Sequence, residues 1–276
     1  MFKNKIVPIR YATGTRSSFL KAIFKVLRYS KTTGILRTLS KIKGTYHLKA
    51  DLTFTGEYWE NKSQKNNNNS KVAIVGCGYY AYANIAYYLK KENSKFLRCA
   101  MDIDSARARS LCLNYKGSYA TTNLQKVLED QQVKLVYIAT KHSFHCDYAI
   151  KCIEAGKDVH IEKPHVLNQI ELDRLSQALD KNPGVKVFLG FNRPKSRLFK
   201  ELKLQLSNYS GSMMINWFLV GHYLEPSHWY FDGDEGGRVL GNLCHWTDAT
   251  INLIGINNSF PLEINPTRIT DSDSDS

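Results

Sequence analysis

"KVAIVGCGYYAYANIAYYL", residues 71–89, is the stretch on which the fold turns. The apolar run "KVAIVG" (71–76) has the length of a buried strand, and helix-length sequence follows the glycines. Between them, Gly76-Cys77-Gly78-Tyr79-Tyr80-Ala81 reads GxGxxA. Gly76 would permit a tight turn. Gly78, without a side chain, would let a pyrophosphate approach the backbone, and Ala81 would let the helix pack close to the strand. Free N–H groups and the dipole at the helix start suit an anion. The competing reading is a plain glycine turn between two core elements, and the surrounding sequence has to decide between them.

Further strand-like runs are "FLRCAMDI" (96–103), "KLVYIAT" (134–140), "DVHIE" (158–162) and "VKVFLGF" (185–191). Helix-like stretches separate them. This alternation, with near-continuous apolar strands, predicts a doubly wound parallel sheet covered on both faces. The second strand ends at Asp102, 24 residues after Gly78. A carboxylate there would accept hydrogen bonds from ribose hydroxyls and repel a 2′-phosphate, which favours NAD over NADP. Asp104 competes for that role, and one of the pair is expected to be only a helix cap before "SARARS".

The charge is uneven. Residues 1–50 hold twelve of the 38 Lys and Arg and no Asp or Glu, so nearly all of the net +13 belongs to this arm. Phe19, Leu20, Ile23, Phe24, Val26 and Leu27 recur at helical spacing, with Lys21, Lys25 and Arg28 on another face. A second amphipathic piece follows Gly34 through Ile35, Leu36, Leu39 and Ile42. Two helices docked on the protein's own body or on a second subunit are favoured. Contact with an anionic membrane surface or a polyanion stays open. Lysines interrupt the apolar positions, which argues against a secretory signal, and the basic, acid-free composition fits a transit segment better. No specific nucleic-acid site is read. "ENKSQKNNNNSK" (60–71) has the composition of a flexible linker. The expected organisation is therefore an arm over 1–60, a linker over 61–70, a dinucleotide-binding domain over 71–192 and a second domain over 193–276. The six cysteines form no CxxC pair, and we read them as reduced thiols of a cytoplasmic protein. No apolar run reaches the ~18 residues of a membrane span.

"KVAIVGCG", "VYIAT", "AIKCIEAGKDVHIEKP" and "FLGFNRP", followed by "GGRVLGNLCHWTD" (236–248), resemble in order and spacing the Gfo/Idh/MocA family of nicotinamide-dependent sugar oxidoreductases. The likeness spans about residues 71–255. It implies a Rossmann domain followed by an α+β domain whose open sheet commonly pairs subunits into a homo-oligomer. It also implies that Gly76, Gly78 and Ala81 form the cofactor loop and Asp102 is the ribose acid. Lys163 would lie beside nicotinamide and substrate, framed by Glu162 and Pro164. His245 matches the histidine that many members use as proton acceptor, and Asp248 the acid three residues later.

The chemistry can also be argued from the residues. Oxidising a sugar alcohol removes a hydride from carbon and a proton from oxygen. The cofactor takes the hydride. Histidine suits the proton, and a lysine ammonium would stabilise negative charge developing on the oxygen. On a helix, Asn242, His245 and Asp248 share one face, so Asp248 would fix the histidine tautomer or simply accept its N–H. Thr140 and His142 are candidates for the cofactor pocket, and Asn192 and Arg193 for substrate hydroxyls or an anionic group. "GHYLEPSHWYFDGDEGG" (221–237) has the aromatic content of a sugar-binding loop. "HSFHC" (142–146) has poor zinc spacing, so no metal is read.

Two departures from the family pattern stand out. Gly241-Asn242 occupies a region where many members carry an acid, and only 21 residues follow Gly255. The second suggests a C-terminally truncated chain with a partial second domain. Three readings follow: an NAD-dependent oxidoreductase acting on a sugar or nucleotide-sugar, in surface polysaccharide synthesis; a non-catalytic dinucleotide-binding protein; and a membrane- or polyanion-binding module working through the arm, peripheral to a membrane.

Overall fold

Side-chain alternation along the strands sets the layers. In β2 (Val72–Val75), Ala73 and Val75 enter one apolar cluster while Ile74 enters another, and all three are fully buried. A strand whose two faces are both apolar needs cover on both sides, and each fully buried Val or Ile contributes on the order of 2 kcal/mol.

The computed structural model describes residues 15–64, 69–221 and 223–259, with 261, 263 and 265. Two helices lead, α1 (Thr15–Thr33) and α2 (Ile35–His47), followed by β1 (Tyr58–Glu60) and β2. A π-helical turn (Ala81–Ile85) runs into α3 (Ala86–Glu92). Then come β3 (Leu97–Met101), α4 (Ser105–Asn114), β4 (Tyr119–Thr121), α5 (Leu124–Glu129) and β5 (Leu135–Ile138). α6 (His145–Glu154), β6 (Asp158–Ile161), α7 (Gln169–Lys181) and β7 (Val187–Leu189) complete the sheet. α8 (Arg197–Leu206) follows, and a second π-helical turn (Val239–Leu243) leads into α9 (Cys244–Ile254).

The sheet order is β1-β4-β3-β2-β5-β6-β7. Every pairing is parallel except β1 with β4. The chain reverses direction across the sheet at β2, between β3 and β5, and ligands of such sheets bind in the crevice at that point. The five expected strands are all present, as β2, β3, β5, β6 and β7. β4 and β1 were not expected: like β7 they are three residues long, but no longer apolar run such as 185–191 surrounds them.

β1 lies where the arm was expected to end. Asn61, at the expected start of the linker, is buried; its N–H donates to Ser118 O at 2.8 Å and its Nδ2 to Gly117 O at 2.9 Å. Linker residues 65–68, arm residues 1–14, His222 and most of the segment after 259 lie outside the described residues.

α2 docks with an unexpected face inward. Arg37, Thr38, Ser40, Gly44 and His47 are its buried residues, while Ile35 and Leu36 are 69% and 75% exposed. Beyond β7 the expected second sheet is absent among the described residues, which hold helices and an irregular run at 212–220. In that run Trp217 packs on Trp246 (ring centroids 4.9 Å apart) and donates to Thr250 Oγ1 at 2.9 Å, while Met214, Phe218 and Val220 face outward. The alternation is that of a strand, but a strand exists only when a neighbour takes up its N–H and C=O groups.

Candidate cofactor and catalytic site

The glycine loop leaves β2 at the crevice. Gly76 has φ +88°, and a Cβ there would lie 2.5 Å from the backbone of Ala139, so strand-to-helix reversal demands glycine. Gly78 differs: a Cβ there would meet nothing within 4 Å and would project into open space. Gly76, Gly78, Tyr79 and Tyr80 line a cavity of about 630 Å³, whereas Cys77 and Ala81 are buried in the core. Burial, with Glu162 nearby, pushes the Tyr80 hydroxyl up to about 12, so it stays protonated.

One of the two aspartates is a helix cap, as anticipated. Asp104 caps α4, accepting from the N–H groups of Ala106 and Arg107 at 3.0 and 3.2 Å. Asp102 lines the cavity, and its carboxylate accepts from Cys77 N at 2.6 Å and from Asp104 N at 2.9 Å. The acid thus braces the glycine loop while facing the cavity. Arg107 lines the same end, 3.1 Å from the Asp104 carboxylate.

Lys163 marks the other end. It follows β6, separated from β3 by β2 and β5, or three strand spacings of ~4.8 Å. Its ammonium donates to Gly241 O at 2.6 Å and to Tyr230 Oη at 3.4 Å. Glu162, Thr140, His142, Trp229 and Tyr230 line the cavity with it. Pro164 does not; its carbonyl accepts from His145 Nδ1 at 2.7 Å, which ties the Lys163 turn to α6. His142 accepts or donates through Nδ1 only as its partner allows, and that partner is the Glu235 carbonyl at 2.8 Å, so Nδ1 carries the proton. Glu235 in turn accepts from Ser143 Oγ at 2.8 Å, and Lys141 pairs with Asp232 at 2.8 Å. These contacts strap segment 229–235 across the cavity mouth.

His245 is buried on α9, with its ring centroid 6.0 Å from that of Phe191, and it is not among the cavity-lining residues. Its Nδ1 and Asp248 Oδ2 are buried without hydrogen-bond partners among the described residues. The expected Asp248–His245 bond is not formed; Asp248 Oδ1 accepts from Asn252 Nδ2 at 3.1 Å, one turn further along. Arg193 stacks its guanidinium 4.6 Å from the Trp246 ring. Asn192 heads the short 3-10 turn Arg193–Lys195, and Asn242 lies half-buried in the π-helical turn next to Gly241. Sequence reasoning did not single out Trp229, Tyr230 or Arg107 individually; only the aromatic density of 221–237 pointed toward the first two.

The buried histidines make stability pH-dependent. Burial is the main cause lowering His47, His142, His145, His165 and His245 below 6.5, with His142 and His245 lowered to about 4. For His245 the positive charges of Arg193 and Lys163 add to the burial. Between these folded values and 6.5 the unfolded chain binds more protons than the folded one. Stability is therefore full above that window and is lost as pH falls through it. Moving from pH ~7.5 to ~5 should remove on the order of 1–2 kcal/mol for each of His142 and His245 and lower Tm by at least about 5 °C. Thermal unfolding at fixed ionic strength checks this, and a Tm that holds or rises on acidification contradicts it.

A parallel sheet with this strand order, a glycine turn at its reversal point and an acid closing the next strand define an NAD(P)-binding Rossmann fold. Residues 70–191 match the Gfo/Idh/MocA oxidoreductase family, NAD-binding Rossmann fold. The chain is 30% identical over 142 residues to oxidoreductase P35 of Formosa agariphila, covering 51% of this chain and 44% of that protein. It is 29% identical over 138 residues to myo-inositol 2-dehydrogenase of Thermotoga maritima, covering 50% and 41%. The chain thus spans less than half the length of these curated relatives. Among solved structures, GenD2 from gentamicin A biosynthesis, determined in complex with NAD, superposes with a TM-score of 0.56 at 21% identity, over 67% of this chain and 54% of GenD2, a likeness of fold.

Proposed function

We propose that the protein transfers a hydride between NAD and a hydroxyl-bearing carbon of a sugar, nucleotide-sugar or cyclic polyol. The observation that carries this reading is a single cavity with Asp102 and the open Gly78 position at one end and the Lys163 ammonium at the other. Asp102 favours NAD, since its carboxylate would accept from the ribose hydroxyls and repel a 2′-phosphate. The Arg107 charge beside it is already engaged by Asp104.

When bound, the nicotinamide supplies the hydride acceptor. Lys163 hydrogen-bonds the reacting oxygen and stabilises its developing charge. Trp229 and Tyr230 offer aromatic faces and a hydroxyl to a polyol. His245, its Nδ1 buried and unpartnered among the described residues, is the candidate proton acceptor; it stands outside the cavity lining, so it serves only where α9 or the substrate brings it to the reacting oxygen, and Asn192, Arg193 and Asn242, also outside that lining, are candidates for substrate hydroxyls. The similarity to a myo-inositol 2-dehydrogenase makes cyclic polyols the first substrates to try. Nucleotide-sugars, which would place the reaction in surface polysaccharide synthesis, come second. NADH formation from NAD with such a panel tests the reading. Turnover supports it, whereas NADH binding without turnover of any member favours a non-catalytic dinucleotide-binding protein.

A second reading concerns the arm. Phe24, Leu27, Ile35 and Leu36 are 59–75% exposed in a segment without a single carboxylate up to Asp51. No helix among the described residues is long and apolar enough to cross a membrane. We propose that this apolar, basic surface lies on anionic lipid at the cytoplasmic face. Co-sedimentation with phosphatidylglycerol vesicles, but not with phosphatidylcholine alone, supports it. Equal pelleting with both, or with neither, contradicts it.

A further inference from the structure

The family match begins at residue 70, yet the cofactor loop is held from outside it. His47, the last residue of α2, is 3% exposed, and both of its ring nitrogens are engaged. Nε2 lies 2.7 Å from the carbonyl oxygen of Cys77, and Nδ1 lies 2.9 Å from Ser110 Oγ on α4. A carbonyl can only accept, so Nε2 carries the proton; Nδ1 then accepts from the Ser110 hydroxyl. The neutral ring satisfies both bonds, and it stacks on Tyr82 with centroids 4.3 Å apart.

The rest of α2 is shaped to bring this ring in. Gly44 faces the helix after the loop, where a Cβ would sit 3.0 Å from Ala83 Cβ and 3.1 Å from the Tyr79 ring. Arg37 donates to Ala83 O and Asn84 Oδ1, with its guanidinium 4.9 and 5.1 Å from the Tyr87 and Tyr88 rings. The polar, small-residue face of the arm helix is therefore a docking face for the loop's own helix.

The consequence lies in one peptide plane. The Cys77–Gly78 bond is trans, so its C=O and N–H point in opposite directions. Cys77 N–H is already committed to Asp102, which leaves Gly78 N–H as the first loop donor free for the cavity, ahead of the amides of Tyr79 and Tyr80. We infer that His47 is a positioning residue for the cofactor: by holding the Cys77 carbonyl toward the arm, it turns the Gly78 N–H toward the cavity, where it meets the diphosphate of the dinucleotide. This rests on the dinucleotide reading of the cavity.

The test compares three variants of the full chain. His47→Ala frees the carbonyl and should weaken NADH binding about tenfold. His47→Gln keeps a donor for Cys77 O and an acceptor for Ser110, and should restore affinity to within about threefold of wild type. Ser110→Ala removes the other bond of the same ring but leaves the carbonyl held, so NADH binding should stay within about twofold. A merely structural role predicts that His47→Ala and Ser110→Ala weaken binding alike, and that result overturns the inference. If His47→Ala does not fold, His47→Asn, too short to span Cys77 O and Ser110 together, takes its place. Amide hydrogen exchange at Gly78, read without cofactor, should speed up in His47→Ala and not in Ser110→Ala. Unchanged exchange in both overturns the positioning role. An accelerated Gly78 amide in a protein whose wild type binds no NADH would uphold the role of His47 in the loop and remove the cofactor reading instead.

Discussion

Gly76→Ala is expected to destabilise the fold by about 3 kcal/mol and to abolish NADH binding. The new methyl would sit 2.5 Å from the main chain of Ala139, where no side-chain rotation can relieve the overlap, and the φ of +88° adds strain for any L side chain. Relief requires β2 and the turn after β5 to move apart, which also displaces the Gly76 N–H from its bond to Met101 O, now 2.8 Å. A Tm drop of roughly 6–12 °C follows for a chain of this size. Thermal unfolding together with NADH titration checks both halves. A variant of wild-type stability that still binds NADH would mean that the turn tolerates a side chain.

Lys163→Met is expected to lower kcat by on the order of 10² to 10³ for any polyol the wild type oxidises, with the NADH Kd within about threefold of wild type. The loss falls on catalysis because the ammonium sits at the far end of the cavity from the diphosphate loop. Of its present partners, Tyr230 lines that end of the cavity and Gly241 lies in the π-helical turn before α9. Methionine keeps the length and packing of the stem without the charge. Steady-state kinetics and NADH titration separate the two effects. A kcat near wild type would remove Lys163 from the chemistry, and a Kd that collapses along with kcat would make it a cofactor ligand instead.

The sheet was legible because its strands are apolar on both faces and the turns between them carry Gly or capping residues. That Gly76, Gly78 and Asp102 line one cavity was legible from the glycine turn after the first strand of the parallel run and the acid at the end of the next. The docking of α2 was not. Its apolar residues advertise an inward face, yet Arg37, Gly44 and His47 go inward because the surface they meet offers carbonyl groups and aromatic rings. No hydrophobic period encodes a match between polar groups. β1 was hidden by its three residues and by the polar run beside it. The His245–Asp248 pairing illustrates a different limit. Residues three apart share a helical face, but Asn252 competes for the same carboxylate from the next turn, and spacing alone does not rank the two.

The most direct test of the central claim is a fluorescence titration of the full chain with NADH, wild type against Gly78→Val. A Cβ at Gly78 meets no protein atom within 4 Å, so the variant should unfold at the wild-type midpoint while its side chain fills the space reserved for the diphosphate. The account predicts saturable binding by the wild type and an affinity at least about thirtyfold weaker in the variant, equivalent to ~2 kcal/mol. Absence of binding in the wild type, or equal affinity in both proteins, would contradict it.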